Sequence, residues 1–403
     1  MIKPLLLSTF GFLLFGNLTI AQERATRTTT ASGLATNPLI WDCLCVPAAG
    51  DNIVVNHTVT MNVDFAYTSG GITVNSSGVL NGDSPARAIA YTGGNFTNSG
   101  TVSLGNFYHG GGTFSNTGTF TAGNVFAVDG TANTVNNGNF YVNDSLYVNT
   151  NASFTSSGYL YTKYTASAGN ITTTGNLVGD DLYNTGAFNN NGGTGVMLYN
   201  IYSSGTVSNN ASMELMFDLW NSETFTNINH IIVGRNFWNG DTLAGSATFT
   251  NNGTISVAAD LANSQTMNGS GHYCIGGASS NSGSVSGTLD ICDLTGTNFD
   301  TNIGTIAGTV TFCSSSCSIG ITEDMLNDTY SIFPNPVNNI VTVDMKTSGV
   351  YKLILFNSFG QIVLENSFSG SQKSIDLTGQ AMGMYHYRIV GENKVVSGKL
   401  VKE

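Results

Sequence analysis

Few residues of this 403-residue chain stand at spacings that could do chemistry. The five histidines, His57, His109, His230, His272 and His386, are scattered, and none forms a metal-holding pair of the H-E-x-x-H kind. They read as packing or surface residues. Asp180 and Asp181 are adjacent, so strand alternation would send them to opposite faces, whereas paired acid/base work needs both carboxyls on one side. A turn is the expected place for them. Asp290, Asp293 and Asp300, beside Cys292, could offer carboxylates to calcium, but their spacing fits no defined calcium loop. Gly110-Gly111-Gly112 and Gly192-Gly193 lack the Lys-Ser/Thr of a phosphate loop and read as coil corners. The expectation is a chain with no catalytic residue, no metal site and no cofactor.

The six cysteines, Cys43, Cys45, Cys274, Cys292, Cys313 and Cys317, are even in number and fit disulfides in an oxidising compartment. Proximity favours Cys274 with Cys292 and Cys313 with Cys317, leaving Cys43 and Cys45 with each other or exchanged into the later group. Neither the C-x-C nor the C-x-x-x-C spacing matches a structural zinc finger.

The elements that carry these residues are repetitive. Phe96-Thr97-Asn98-Ser99-Gly100-Thr101-Val102, Phe114-Ser115-Asn116-Thr117-Gly118-Thr119-Phe120 and Phe249-Thr250-Asn251-Asn252-Gly253-Thr254-Ile255 are copies of one phrase. Marker glycines at 78, 100, 118, 138 and 158, and again at 186 and 205, give a period of about 20 residues. Asn229 stands where a weaker copy would carry Gly, which a left-handed turn would tolerate. Such a period predicts stacked β-coils, each unable to bury its inner face alone. Phe96, Val102, Phe114, Phe120 and Val125 should point inward, with Thr, Ser and Asn outward or in ladders. No proline occurs between Pro85 and Pro334, as unbroken strand pairing requires. At about 4.8 Å per coil, roughly 13 coils over residues 51–320 would make a rod near 60 Å long.

Charge follows the same division. Only 9% of residues are charged and the net charge is -12, which leaves no basic footprint for nucleic acid. Between residues 28 and 322 the only cations are Arg87, Lys163 and Arg235, against 16 acids. A sparse acidic surface rich in hydroxyls and amides suits sugars, wall polymers or water.

Both ends read as address labels. Residues 1–21 combine Lys3, a short apolar run and small residues at Thr19 and Ala21, the pattern of a signal peptide cleaved after Ala21. No later stretch is long and apolar enough for a membrane span. Residues 22–50 read as an N-terminal cap. Trp41, Pro47 and Gly50-Asp51 ahead of the first alternating strand resemble the opening coil of secreted bacterial β-solenoids, where an aromatic plug and a disulfide would cover the strand edge. The Cys-rich segment ending near residue 320 should cap the far end.

From residue 324 the composition changes: the last 80 residues hold seven of the 13 cations. Runs at 340–345, 350–357, 361–364, 373–377, 384–390 and 394–401 predict a small antiparallel sandwich. Tyr330-Ser331-Ile332-Phe333-Pro334-Asn335-Pro336, Phe359-Gly360-Gln361-Ile362-Val363, Gly383-Met384-Tyr385-His386-Tyr387-Arg388-Ile389 and the ending Gly398-Lys399-Leu400-Val401-Lys402-Glu403 follow in order. Packing gives the terminal lysines no evident reason to be there. Together these motifs resemble the type A C-terminal sorting domain of type IX secretion substrates, with Pro334, Asn335, Pro336, Gly360, Gly383, Tyr385, Lys399, Leu400, Val401 and Lys402 at its motif positions. The resemblance implies an immunoglobulin-like module that meets the type IX machinery in the periplasm of a Gram-negative bacterium. It implies export of the chain to the surface or the medium.

The expected fold is therefore all-β: an elongated right-handed parallel β-helix followed by a small immunoglobulin-like sandwich. The expected function is a non-enzymatic adhesin or rod that binds a surface glycan or matrix polymer. Exposed aromatics such as Tyr159, Tyr161, Tyr199, Tyr202, Trp220 and Trp238 could contact sugars, although inward packing is the expected role for several of them. The alternatives are a β-helix polysaccharide lyase, for which the middle offers few cations as base, and a passive spacer.

Overall fold

The computed structural model describes residues 25–403 apart from 193–194, 241–245, 297, 316, 318–329, 358–361 and 392–393. The expected leader and Gly360 lie outside the described residues. The upstream region is a β-solenoid of about 13 turns. Its short strands stack into one 15-stranded parallel sheet. Thr113–Asn116, for instance, pairs in parallel with Asn95–Asn98 on one side and Asn133–Asn136 on the other. The longer strands stack beside it: Thr119–Val128 lies between Thr101–His109 and Asn139–Val148.

Each copy of the repeated phrase makes one corner. In Phe114-Ser115-Asn116-Thr117-Gly118 the Phe and the Asn point inward and are fully buried, while Ser115 faces out. The buried amides form a ladder. Asn98 Nδ2 donates to Asn116 Oδ1 at 2.7 Å, Asn116 to Asn136 at 2.7 Å, and Asn136 to Ser156 Oγ at 3.0 Å. Asn190, Asn209, Asn227 and Asn251 continue it. A second ladder at another corner runs from Asn221 through Asn239, Asn263 and Asn281 to Asn302. The same side chain also caps the turn, since Asn98 Oδ1 accepts from Gly100 N at 3.1 Å and Asn251 Oδ1 from Gly253 N at 3.1 Å. Between the ladders the core is aromatic. Phe96 stacks on Phe114 with centroids 5.0 Å apart, and Phe120 stacks on Phe140 at 4.8 Å.

Three expectations change here. The marker glycines and Asn229 do not occupy left-handed conformations. Gly118 is required because a Cβ there would lie 2.2 Å from the carbonyl oxygen of Gly100 in the coil below. The glycines also belong to two corners, because Gly138 and Gly158 stack on the 78-100-118 column whereas Gly186 and Gly205 stack on Gly169. Val125 is not inward: Thr119–Val128 turns a corner near Gly123 and Asn124, the buried positions Phe120, Ala122, Phe126 and Val128 keep one alternation through it, and Phe126 takes the core place.

The ends are closed by the segments predicted to close them. Thr26–Thr28 pairs with the first coil strand Asn52–Val55. Trp41, 1% exposed, joins the coil core and donates Nε1 to Ala35 O at 3.1 Å. Cys43 bonds Cys45. At the other end the favoured pairing is corrected: Cys274 bonds Cys317 and Cys292 bonds Cys313. Cys274 and Cys292 are neighbours in parallel strands, and each is instead tied to the closing segment 313–317.

The C-terminal module is a five-stranded antiparallel sheet. Its long strands Ile340–Phe356 and Ile362–Asp376 break register between Asp344 and Gly349, and residues of both halves meet in one core with Val343, Leu353, Leu355, Ile389 and Leu400.

The Asn ladder generates a stability prediction. Asn116→Ala should cost about 1–3 kcal/mol, because Asn98 and Asn136 each lose a buried partner, whereas Ser115→Ala on the outer face should stay within about 0.5 kcal/mol. Thermal melting of the two variants checks this, and equal midpoints would contradict it.

Candidate functional site

One outward column differs chemically from the rest. Strand register places Tyr108, Ala127, Tyr147, Ala166, Tyr183, Tyr202, Trp220, Trp238 and Ala262 directly above one another. The Ala166 gap is filled from the adjacent column by Tyr164, whose ring lies 6.4 Å from Tyr147 and 5.1 Å from Tyr183. The series continues at 4.8 Å to Tyr202, 6.1 Å to Trp220 and 4.2 Å to Trp238. Neighbouring planes tilt by 34° and 37° across Tyr202, Trp220 and Trp238, so the column is not a flush stack. Trp220 is 37% exposed. Burial first, and then the neighbouring tyrosines and Asp181 for Tyr164, or Asp181 and Tyr202 for Tyr183, raise these hydroxyls above the ordinary tyrosine value.

A polar column runs beside the rings. Asn200 Nδ2 donates to Asp181 Oδ1 at 2.7 Å, and Asn200 Oδ1 accepts from the backbone of Asp218 at 3.0 Å. Asp218 accepts from Asn236 N, and Asn236 Oδ1 from Asp260 N at 3.2 Å. Arg235 pairs with Asp218 and lies over the Phe217 ring at 5.2 Å. The result is an axial strip in which aromatic rings and carboxylate or amide groups share one face.

The sequence-predicted residues divide. Tyr202, Trp220 and Trp238 lie in the column. Tyr159 and Tyr199 are buried, and Tyr161 is half-buried against the C-terminal module. Tyr147, Tyr164 and Tyr183 belong to the column although sequence reasoning did not select them. The signal was present: positions 183, 202, 220 and 238 differ by 19, 18 and 18.

Asp180 and Asp181 are not in a turn. They lie within strand Asn176–Asn184, where it rounds a corner: Asp180 lines a small cavity with Tyr199 and Lys352, while Asp181 binds Asn200. Burial, then the charge of Asp181, pushes Asp180 up to about 6, against the opposing pull of Lys352 and Lys163. Gly110-Gly111-Gly112 follows the end of Thr101–His109 at a corner, as expected. His109 is fully buried, bonds Thr134 at 2.9 Å, and is lowered to about 4 by burial.

Asp290, Asp293 and Asp300, the candidate calcium carboxylates, are engaged by protein donors at the end cap. Asp290 accepts from Ser314 N, Ser315 N and Thr311 Oγ1, bonds that outweigh burial and hold its carboxyl below the usual range. Asp293 accepts from Thr295 N and Oγ1, and Asp300 from Ser279 N.

In the C-terminal module the motif residues meet across the chain. Asn335 donates Nδ2 to Lys399 O at 2.8 Å and accepts from Val401 N at 2.9 Å. Lys402, 7% exposed, donates Nζ to Asn338 O at 2.7 Å, so at least one terminal lysine has a packing role that the sequence did not reveal. Leu400 is in the core, and Tyr385 Oη donates to Ala381 O at 2.6 Å. Residues 331–403 match the family model described as secretion system C-terminal sorting domain. No curated protein matches the chain. The molecule is thus a secreted β-solenoid with a type IX sorting tail, which implies contact with that secretion machinery and a secreted or cell-surface location. Among the described residues no helix is long and apolar enough to cross a membrane.

Two predictions follow from these placements. Deletion of residues 324–403 should leave the rod in the periplasm, and undiminished export in a fractionation assay would contradict the role of the tail. For Asp180, the folded value of about 6 lies above the ordinary 3.8, so the buried charge opposes folding fully above pH 6 and not below pH 3.8. Asp180→Asn should therefore raise the melting midpoint above pH 6 and lose that advantage as pH falls through this window. A gain that is the same at both ends of the window would contradict the assignment.

Proposed function

We propose that the mature rod is a non-enzymatic adhesin that binds a neutral or basic surface glycan or matrix polymer along its aromatic strip. The carrying observation is the axial column from Tyr147 to Trp238 with its parallel Asp/Asn column. Tilted rings offer apolar contact to sugar C–H faces, and the flanking Asp181, Asn200, Asn236 and Asp260, with Asp218 buried among them, offer hydrogen bonds to hydroxyls. Strand stacking repeats both at about 4.8 Å, a step that suits a polymer lying parallel to the rod.

The net charge of -12 disfavours polyanionic partners. Against the lyase alternative, Arg235 is held by Asp218, and Lys163 stands exposed at the corner of strand Tyr159–Ser167, skipped by the register on both sides. A passive spacer would give the outward Trp220 and Trp238 no work beyond stacking.

A glycan array with the secreted protein tests the reading. Retention on a defined polymer should fall at least about tenfold, equivalent to ~1.4 kcal/mol, in Trp220→Ala and Trp238→Ala. No retention on any polymer would favour the spacer. Polymer cleavage abolished by Lys163→Ala or Arg235→Ala would favour the lyase.

A further inference from the structure

A second outward column breaks the polar rule of the solenoid surface. In register it reads Thr60, Asn81, Ser103, Thr121, then Tyr141, Tyr161, Val178, Met197, Glu214, Ile232, and then Ser256. Side chains that alternation turns to solvent are thus mostly apolar over six coils, with Glu214 the one carboxyl among them. Val178 is nevertheless only 5% exposed. At the neighbouring corner Tyr199 and Phe217 add to the same apolar area.

The sorting module shows the complementary anomaly. On strand Ile340–Phe356, Leu353 and Leu355 face the module's own core, so Ile354 and Phe356 point away from it. On strand Gly383–Gly391, Tyr387 and Ile389 face the core and Arg388, paired with Ile354, points away. These three outward side chains are nonetheless 6%, 2% and 3% exposed. They are buried because the two faces meet. Tyr199, Ile354 and Phe356 form one cluster with Met216 and Phe217, and the Tyr199 and Phe356 rings lie 6.0 Å apart at 81°. A void of about 20 Å³ remains beside Asp180 and Arg388.

We propose that this stripe is a docking face for the chain's own sorting module, which shields it, so that separating the module from the rod uncovers an apolar contact surface. Two unpaired faces with matching apolar content would each be a liability if left in water, and each removes the other's exposure. The fit is incomplete in a way that favours release. Arg388 is almost fully buried, yet its Nε and Nη2 have no hydrogen-bond partner. Burying a guanidinium without its hydrogen bonds costs free energy that undocking recovers. Glu214 is the acidic group near Arg388 on the solenoid side, its carboxyl raised by burial against the opposing pull of Arg388, and Lys352 with Glu365 forms an ion pair on the module's outward face. The proposal concerns a different face from the aromatic strip and stands or falls separately from the glycan reading.

Site-specific cross-linking in the full chain tests it. With a short bifunctional thiol reagent, Tyr199→Cys with Phe356→Cys should give an intramolecular cross-link, identified by peptide mass spectrometry, in most molecules. Thr250→Cys with Phe356→Cys, whose solenoid partner lies in the other sheet, should give none. In a second measurement, Ile354→Asp with Phe356→Asp, both outside the module core, should raise the fluorescence of an apolar-surface dye several-fold over the parent chain. Absence of the first cross-link, equal yields for the two pairs, or unchanged dye fluorescence would overturn the proposal.

Discussion

The molecule depends on the in-register contact between one coil and the next. In a parallel stack each residue sits above its equivalent, so a residue type that works once must work with a copy of itself at about 4.8 Å. Asparagine meets this condition at a buried corner because its amide is both donor and acceptor: Asn116 accepts from Asn98 and donates to Asn136. Phenylalanine meets it in the core by stacking, and glycine meets it at the turn because the carbonyl of Gly100 occupies the space a Cβ of Gly118 would need. The repeated phrase Phe-x-Asn-x-Gly is the one-dimensional record of these three requirements.

The same constraint builds the surface. Any outward position is copied along the rod, so a change in residue type over several coils creates a continuous strip. This happens twice. The Tyr183, Tyr202, Trp220 and Trp238 column remains open beside an Asp/Asn column, whereas the column through Tyr161 and Val178 is covered by the sorting module. Interaction along a rod of this kind follows the axis, and the chemistry of each strip is read by counting one residue per coil. The lone ionisable groups on the strips are secondary to this arrangement.

The period, the all-β class and the separate C-terminal module were legible because they rest on local patterns: alternation, recurring Phe and Gly, and a change of composition. What escaped depended on register. Coil lengths vary, so Gly186 fell on a different corner from Gly158, and Tyr164 reached into the column of Tyr183 from the adjacent position. Phe126 rather than Val125 is inward because the alternation set by Phe120 and Ala122 continues in phase past the corner at Gly123 and Asn124. Disulfide partners could not be chosen by proximity along the chain, since the closing segment 313–317 returns over Cys274 and Cys292. Likewise the terminal Lys402 gained its packing role only when the last strand lay beside the Pro334-Asn335-Pro336 turn.

The claim that the aromatic strip is a binding surface has a built-in optical reporter. Of the three tryptophans, Trp41 is buried in the N-terminal cap, whereas Trp220 and Trp238 stack on the strip. Titration of the secreted rod with the polymer that retains it, followed by tryptophan fluorescence, is the most direct measurement. The account predicts a saturable blue shift whose midpoint matches retention. Tight retention with an unchanged tryptophan spectrum would contradict it.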